Sequence, residues 1–544
     1  MDANGCIHVV WMNGENSGAS TRHIWYNMHD PVQGWLWGST GVRVDNQTRG
    51  GYASLGVNGH GYPFPAFHVQ TPTSPLSQPH AAVAADSIPG AGRFSFWELP
   101  YFGSPVVQSI WPKIAVDRQG RIHLISTEQT ASGVAGAPQR IFYCRGEFNP
   151  SVPTITFIRQ IRVAWVETVA PDITASRHSD RVAIVFPCPR LFPQDTTQYN
   201  NDIYLIESED GINWDFMRPQ NITCFTRTDT LRAYADASVL YDQNDNLHVA
   251  FTTPYLDEAT GTSSLNNSLI WHWSRATHYY SLVARYWSDY WSHNCGAWQR
   301  YVQRPCLAVD ETTGDLFITY QKYDTTDVAS NGYPQGDIMI SRSTSGGTYW
   351  SVGTNVSNTH APGASAGHCW SERDITCNET VQDSALHLLY VLDRDAGSIA
   401  MTEGSWTLNP VHYQRVSIDL IPATPLMPRY PMRTDSTGFP PPPPFGFLAV
   451  GDNIESPSIF YLAQNYPNPF NPVTDIRFEL NRPGPVTLKV HNILGREVAT
   501  LVNGHLAAGV YRVPFDASRL CSGVYFYRLT SSADSQMRKM VLLR

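Results

Sequence analysis

Charge is scarce in this sequence: Asp, Glu, Lys and Arg make up 16% of 544 residues, and the formal net charge is −9. Acids and bases are scattered rather than blocked, so there is no basic stripe of the kind that displaces counterions from nucleic acid. Long apolar runs are missing as well. None approaches the roughly 20 residues a membrane helix requires, and no membrane span is expected. Metal-knuckle spacing is absent: nine cysteines (Cys6, Cys144, Cys188, Cys224, Cys295, Cys306, Cys369, Cys377, Cys521) occur without a CxxC pair, which argues against zinc. No metal and no cofactor are expected. The start lacks a leader, since Met1-Asp2-Ala3-Asn4-Gly5 runs directly into strand-like Cys6-Ile7-His8-Val9-Val10-Trp11 with no basic or apolar leader region.

Aromatic residues reach 12%, beside 39 Gly and 39 Pro. That mixture suits short strands joined by tight turns, not bundles built from Ala, Glu, Lys and Leu. The expected class is all-β, with one large domain and one smaller one at this length.

One pattern recurs: a turn with Asp, Asn or Gly, then a strand of the form Leu/Ile-His-Val-x-Tyr/Trp. Copies begin at Ile7, Phe64, Ile122, Val182, Leu247, Leu316 and Leu386, spaced by 57, 58, 60, 65, 69 and 70 residues. The copy Phe64-Pro65-Ala66-Phe67-His68 is the weakest. An inner strand precedes several copies, as in Pro112-Lys113-Ile114-Ala115-Val116-Asp117 and Pro305-Cys306-Leu307-Ala308-Val309-Asp310. A third strand follows most of them, as in Ile141-Phe142-Tyr143 and Ile338-Met339-Ile340. A β-meander repeated around an axis buries both faces of each sheet and leaves short edges. Residues 1–421 are therefore expected to form a β-propeller of seven blades, or six if the second copy is an insertion. The first blade lacks an inner strand, because only five residues precede Cys6.

Two segments resemble the Asp-box of sialidase-like propellers, Ser208-Glu209-Asp210-Gly211-Ile212-Asn213-Trp214 and Ser343-Thr344-Ser345-Gly346-Gly347-Thr348-Tyr349-Trp350. The first is one residue short and the second has Ser in the Asp position. The box braces a turn between outer strands and marks a fold, not a reaction.

Residues 422–461 form a Pro-rich linker culminating in Pro440-Pro441-Pro442-Pro443-Pro444, a stiff extended spacer. Beyond it come Gln464-Asn465-Tyr466-Pro467-Asn468-Pro469-Phe470-Asn471-Pro472, Thr474 and Ile476, then Val490-His491-Asn492-Ile493-Leu494-Gly495-Arg496-Glu497-Val498. Ala508-Gly509-Val510-Tyr511, Ser522-Gly523-Val524-Tyr525-Phe526-Tyr527 and Lys539-Met540-Val541-Leu542 follow. With these residues, 462–544 resembles the type A sorting domains of the type IX secretion system; His491 stands where Tyr is commoner. The strand pattern fits a small β-sandwich of about seven strands.

The resemblance implies a cargo of a Bacteroidota-like Gram-negative bacterium, secreted or held at the outer surface. It makes the outer-membrane type IX machinery the partner, reading Asn465, Pro467, Asn468, Pro469, Phe470, Asn471, Pro472, Gly495, Gly509, Gly523 and Lys539 as the sorting signal. Such modules are typically cleaved, and sometimes exchanged for a lipid anchor. An exported chain needs a leader, so the start is expected to be internal to a longer reading frame. Export also makes Cys369 and Cys377, the one close pair, a candidate disulfide.

Catalytic residues do not declare themselves. His8, His123, His248 and His387 share one repeat position, but equivalent positions in separate blades lie apart, so packing is the expected role. Asp242-Gln243-Asn244-Asp245-Asn246 lacks the Gly and the distant Glu of a calcium loop and reads as a hairpin turn. Arg304-Pro305 is similar to the arginine-proline of the sialidase entry motif, yet no arginine triad or Tyr-Glu pair assembles around it. Aromatics crowd residues 271–298. Several must be core, while Trp287, Tyr290 and Trp291 are candidates for a sugar-stacking platform. The expected function is an exported binding or adhesion propeller, with a glycan or surface protein as ligand. A sialidase-like glycoside hydrolase and an extracellular scaffold are the alternatives, because propellers host all three.

Overall fold

The computed structural model describes residues 2–543 apart from 3, 17–19, 48, 73–77, 104–105, 130–137, 169, 190–197, 226–228, 258–261, 287–294, 297–298, 425–431, 434–459, 466–467, 494, 508, 519 and 532–533. The described chain is almost wholly strand, its helical turns being the three-residue segments Ile399–Met401 and Ile418–Leu420. No helix among the described residues is long and apolar enough to cross a membrane. The chain divides into two compact units, Met1–Thr434 and Asp435–Arg544. Pro440 to Pro444 lie outside the described residues.

In the first unit, seven antiparallel sheets follow one another along the chain. Sheets two to seven are led by inner strands Gly50–Val57, Ser109–Val116, Asp172–Ala175, Ala237–Tyr241, Val302–Val309 and Ser371–Cys377. Each pairs with the strand carrying the sequence repeat: Pro63–Val69, Arg121–Glu128, Val182–Pro189, Leu247–Asp257, Leu316–Val328 and Ala385–Asp393. The first sheet opens directly on its repeat strand, Ile7–Gly14, paired with Arg22–Asp30. The weak copy at Phe64 is thus the second strand of its own four-stranded sheet. Trp35 of the first sheet meets Tyr413 of the seventh edge-on, centroids 5.1 Å apart. Successive meanders closed in this way make a β-propeller.

Packing explains the form. Apolar side chains of neighbouring sheets merge into shared cores; Phe64, Ala66 and Val83 of the second sheet pack with Ile114, Leu124 and Cys144 of the third. Strands covered on both faces, such as His80–Asp86, are buried at every position. Each fully buried Leu, Ile or Phe contributes about 1.5–3 kcal/mol, which a lone meander could not collect.

The repeat histidine braces its sheet. His123 Nε2 meets Asp117 Oδ2 at 3.0 Å and its Nδ1 meets the Tyr143 hydroxyl at 2.7 Å. His8 bridges Asp2 and Tyr26 in the same way, and His248 bridges Asp242 and His272. His387 keeps only the tyrosine, Tyr413 at 2.7 Å. Between Ser208 and Trp214, Asp210 Oδ1 accepts the N–H groups of Ile212 and Asn213 at 2.9 and 2.7 Å, and Trp214 packs against Tyr143. In the sixth sheet Ser345 Oγ accepts the Tyr349 N–H at 2.9 Å, and buried Trp350 donates to Ser281 Oγ at 3.0 Å.

From the fourth sheet to the seventh, a side chain also links one inner strand to the next at one repeat position. Asp172 Oδ2 accepts the Val239 N–H at 3.1 Å, and Ser238 Oγ accepts the Leu307 N–H at 3.1 Å. Cys306 Sγ accepts the Cys377 N–H at 3.4 Å. The expected partnership of Cys369 with Cys377 is corrected here: Cys369 Sγ lies against the carbonyls of Ala364 and Ser365 at 3.7 and 3.8 Å. The extended strand Ser371–Cys377, rising about 3.3 Å per residue, carries Cys377 away from it.

The second unit is a two-sheet sandwich. Tyr461–Leu462, Val473–Leu480 and Gly509–Asp516 make one sheet; Glu497–Leu506, Gly484–Asn492, Gly523–Ser531 and Ser535–Leu542 make the other. Inward residues alternate along Val473–Leu480 and along residues 484–490, and Leu462, Phe478, Leu488, Tyr527 and Leu542 share one core.

Candidate functional site

Four inner strands bulge against their repeat strands. Pairing to the repeat strand slips between Gly51 and Ser54, between Gln303 and Cys306, and between Arg373 and Thr376. In the third sheet it slips opposite residues 125–127. A non-glycine residue with positive φ sits at each slip: Tyr52 (54°), Trp111 (51°), Arg304 (57°) and Asp374 (56°). Such backbone is costly for L residues and gathers at functional sites, and bulges re-aim side chains there. Each lies 11 or 12 residues ahead of the first residue of its sequence copy, Phe64, Ile122, Leu316 or Leu386.

Around Arg304 and Asp374 the bulges are acidic and basic by turns. Asp236, just ahead of the fifth inner strand, accepts the Arg304 backbone N–H and the Thr252 hydroxyl, the latter at 2.9 Å. The Arg304 guanidinium meets Asp374 Oδ1 at 2.9 Å. Burial raises the Asp236 carboxyl despite these bonds. Burial also pushes Asp374 upward, but Arg304 and Arg373 outweigh it and hold the carboxyl below its ordinary value.

The other two bulges lie among cationic groups. Tyr52 and Trp111 meet edge-on, centroids 5.0 Å apart, at a cavity of about 250 Å³ that Arg22, Arg49 and His68 also line. Arg22 Nη2 donates to His68 Nε2 at 3.2 Å, and its guanidinium lies 5.5 Å over the Tyr52 ring. This closeness requires Gly51, where a Cβ would fall 2.8 Å from His68 Nε2 and 3.1 Å from Arg22 Nη2. Burial, then the charges of Arg22 and Arg49, push His68 down to about 3. The ring is therefore neutral and carries its hydrogen on Nδ1. Among the described residues neither arginine meets a carboxylate. Arg22 Nε, His68 Nδ1 and Trp111 Nε1 are buried without a hydrogen-bond partner. Buried donors are nearly always paired, so three unmatched ones around a cationic cavity with aromatic walls suit an incoming acceptor. A planar carboxylate on a ring-shaped molecule meets those demands.

Other candidates are placed less usefully. Trp287, Tyr290 and Trp291 lie outside the described residues. Trp271, Trp273 and Tyr280 from the same aromatic stretch are buried in the fifth sheet. Asp242 caps its own turn through the N–H groups of Asn244 and Asn246, both at 2.8 Å. Arg304 does stand at a bulge, bonded to Asp236 and Asp374. Arg22, Arg49 and His68 were not singled out from the sequence, whereas the bulge residues share a repeat register that aligning the copies would expose. Of the sorting-signal residues, Pro467 is outside the described residues. Asn465 is buried, donating its N–H to the Tyr527 hydroxyl at 2.7 Å and its amide to Thr474 Oγ1 at 2.9 Å, while Phe470 lies in the sandwich core.

Residues 464–543 match the family model described as a secretion system C-terminal sorting domain. The C-terminal module is a type IX sorting domain, and the protein is secreted or displayed at the cell surface. No curated protein matches the chain. Solved structures similar to it include a Hadza microbial sialidase, 12% identical, covering 74% of each chain at a TM-score of 0.37. An alpha-L-arabinofuranosidase from Fusarium graminearum is 10% identical over 68% of this chain and 94% of its own, TM-score 0.39. A protein of unknown function from Dyadobacter fermentans is 10% identical over 77% and 97%, TM-score 0.35. At such scores the likeness carries no functional inference.

Proposed function

We propose that the protein is an exported binding propeller of a Gram-negative bacterium that takes an acidic glycan, carboxylate first, in the cavity between Arg22, Arg49, Tyr52, His68 and Trp111. The observation that carries this is the half-buried Arg22 guanidinium, which meets no carboxylate and leaves its Nε without a partner, beside two further N–H donors without partners. Charge-assisted bonds to such donors contribute about 1.5–3 kcal/mol each. Tyr52, 49% exposed, offers a ring face for a sugar. The type IX machinery is the partner in export, with Asn465, Asn468, Gly495, Gly509, Gly523 and Lys539 among the residues it reads.

A hydrolase is the second reading, favoured by the two carboxyls that Arg304 joins, Asp236 and Asp374, one raised and one lowered. Titration calorimetry with uronate- or sialate-terminated oligosaccharides and their neutral counterparts tests the first reading. The acidic sugars are expected to bind, and Arg22→Gln to weaken them at least tenfold while the melting temperature holds. Equal binding of neutral sugars would sink the carboxylate reading. Shortened sugars in the cell, lost on Asp236→Asn, would make the protein a hydrolase.

A further inference from the structure

We propose that Cys306 and Cys377 form a disulfide that ties the sixth sheet to the seventh. The two Sγ atoms are 3.2 Å apart, and Cys377 Sγ also lies 3.7 Å from the Cys306 carbonyl. Among the described residues no other two cysteine sulfurs come within hydrogen-bonding reach.

The meeting follows from the repeat. Cys306 pairs with Thr319, three residues into its repeat strand, as Asp172 pairs with Val185 and Ser238 with Ala250. Side chains at this position point toward the following sheet and accept the N–H of a residue one step further along its inner strand. That residue points back. Elsewhere the facing pairs are Asp172 with Val239 and Ser238 with Leu307; here both partners are cysteine. The spacing of 71 residues is the local repeat of 70 plus this single step. The backbones are held together three residues on, where Val309 and Thr380 form a parallel bridge and Val381 donates to the Val309 carbonyl at 2.8 Å. Neighbouring strands run about 4.8 Å apart, within the Cα separation of roughly 4.4–6.8 Å that a disulfide spans.

Export supplies the chemistry. The sorting domain marks the chain for secretion, which places it outside the reducing cytoplasm, in compartments where disulfides form and persist. A disulfide-bearing oxidoreductase or small-molecule disulfide is the oxidant. One cysteine thiolate attacks it to give a mixed disulfide and release one thiol. The second thiolate then attacks the protein-bound sulfur and expels the other. Two protein thiols are oxidised to one S–S bond, and the oxidant is reduced to two thiols that take up the two protons.

Peptide mapping of the secreted full-length chain tests this. The chain is unfolded in iodoacetamide without reductant, then cut with trypsin. Arg304 precedes proline and stays uncut, so Cys306 falls in peptide 301–322 and Cys377 in peptide 374–394, each as the only cysteine. The expected result is one joined species, split by dithiothreitol into two alkylatable peptides and absent from Cys306→Ser. Both peptides alkylated in the secreted chain, and still so after incubation with oxidised glutathione, would overturn the proposal. Peptide 374–394 joined to 343–373, which carries Cys369, would overturn it too. Because the readout is covalent mass, it is independent of any glycan binding.

Discussion

Glu372 is an acid kept from water. It sits on the seventh inner strand at 2% exposure, with Oε2 accepting the Thr359 hydroxyl at 2.8 Å. Burial pushes its carboxyl from 4.5 up to about 8, against the Thr359 bond and together with the negative charge of Asp337. A folded-state value above the unfolded one means that the native chain holds the proton more tightly. The stabilisation is then fully present below pH 4.5 and is lost as pH rises through about 8. Glu372→Gln keeps the shape but does not titrate, so it is expected to flatten the fall in stability across that window. Urea midpoints taken from pH 4.5 to 8 check this, and an unchanged slope in the variant would refute the assignment. Residues of this kind were silent in the sequence. Nothing around Glu372, Arg22 or His68 distinguishes them until three chain segments pack together.

Strands and turns were far more legible. The seven copies of the Leu/Ile-His-Val pattern each became a repeat strand, because alternation fixes which face is buried and a one-residue slip would expose the whole apolar set. Trp271 and Trp273 went to the core as alternation requires. The bulges were hidden, since Tyr52, Trp111, Arg304 and Asp374 carry no glycine to advertise positive φ. The brace makes a prediction at this scale. Asp117 accepts the N–H groups of Gln119 and Arg121 at 3.0 and 2.9 Å besides meeting His123. Removing it leaves several donors unmatched, at about 1–3 kcal/mol for a buried one. Asp117→Ala is expected to cost about 3 kcal/mol. His387 has no such acid, its Nε2 being unpartnered and burial pushing it down to about 4. His387→Gln is therefore expected to cost less than half as much. Denaturant unfolding of both variants checks the order, and equal losses would show that the acid is dispensable.

For the whole molecule, the division of labour is between a propeller, for which a binding role is proposed, and a module that delivers it. The sorting module has its own two sheets and a core from Leu462 to Leu542, and the first unit's shared cores draw on none of those residues. Delivery should therefore be separable from folding. A chain ending at residue 463 lacks the whole match to the sorting family; it is expected to stay behind the outer membrane with the first unit's melting transition and its binding to acidic sugars unchanged. Asn465→Ala probes the same module more gently. It removes the hydrogen bond from the side-chain amide to Thr474 Oγ1, which costs about 1 kcal/mol, and leaves the strands around it in place. If Asn465 is itself read, export falls while the module's melting temperature moves little; if it only braces the fold, export and melting temperature fall together. Immunoblots of medium, cell surface and periplasm decide this, and a truncated chain found at the surface would mean that residues 464–543 are not what the machinery reads.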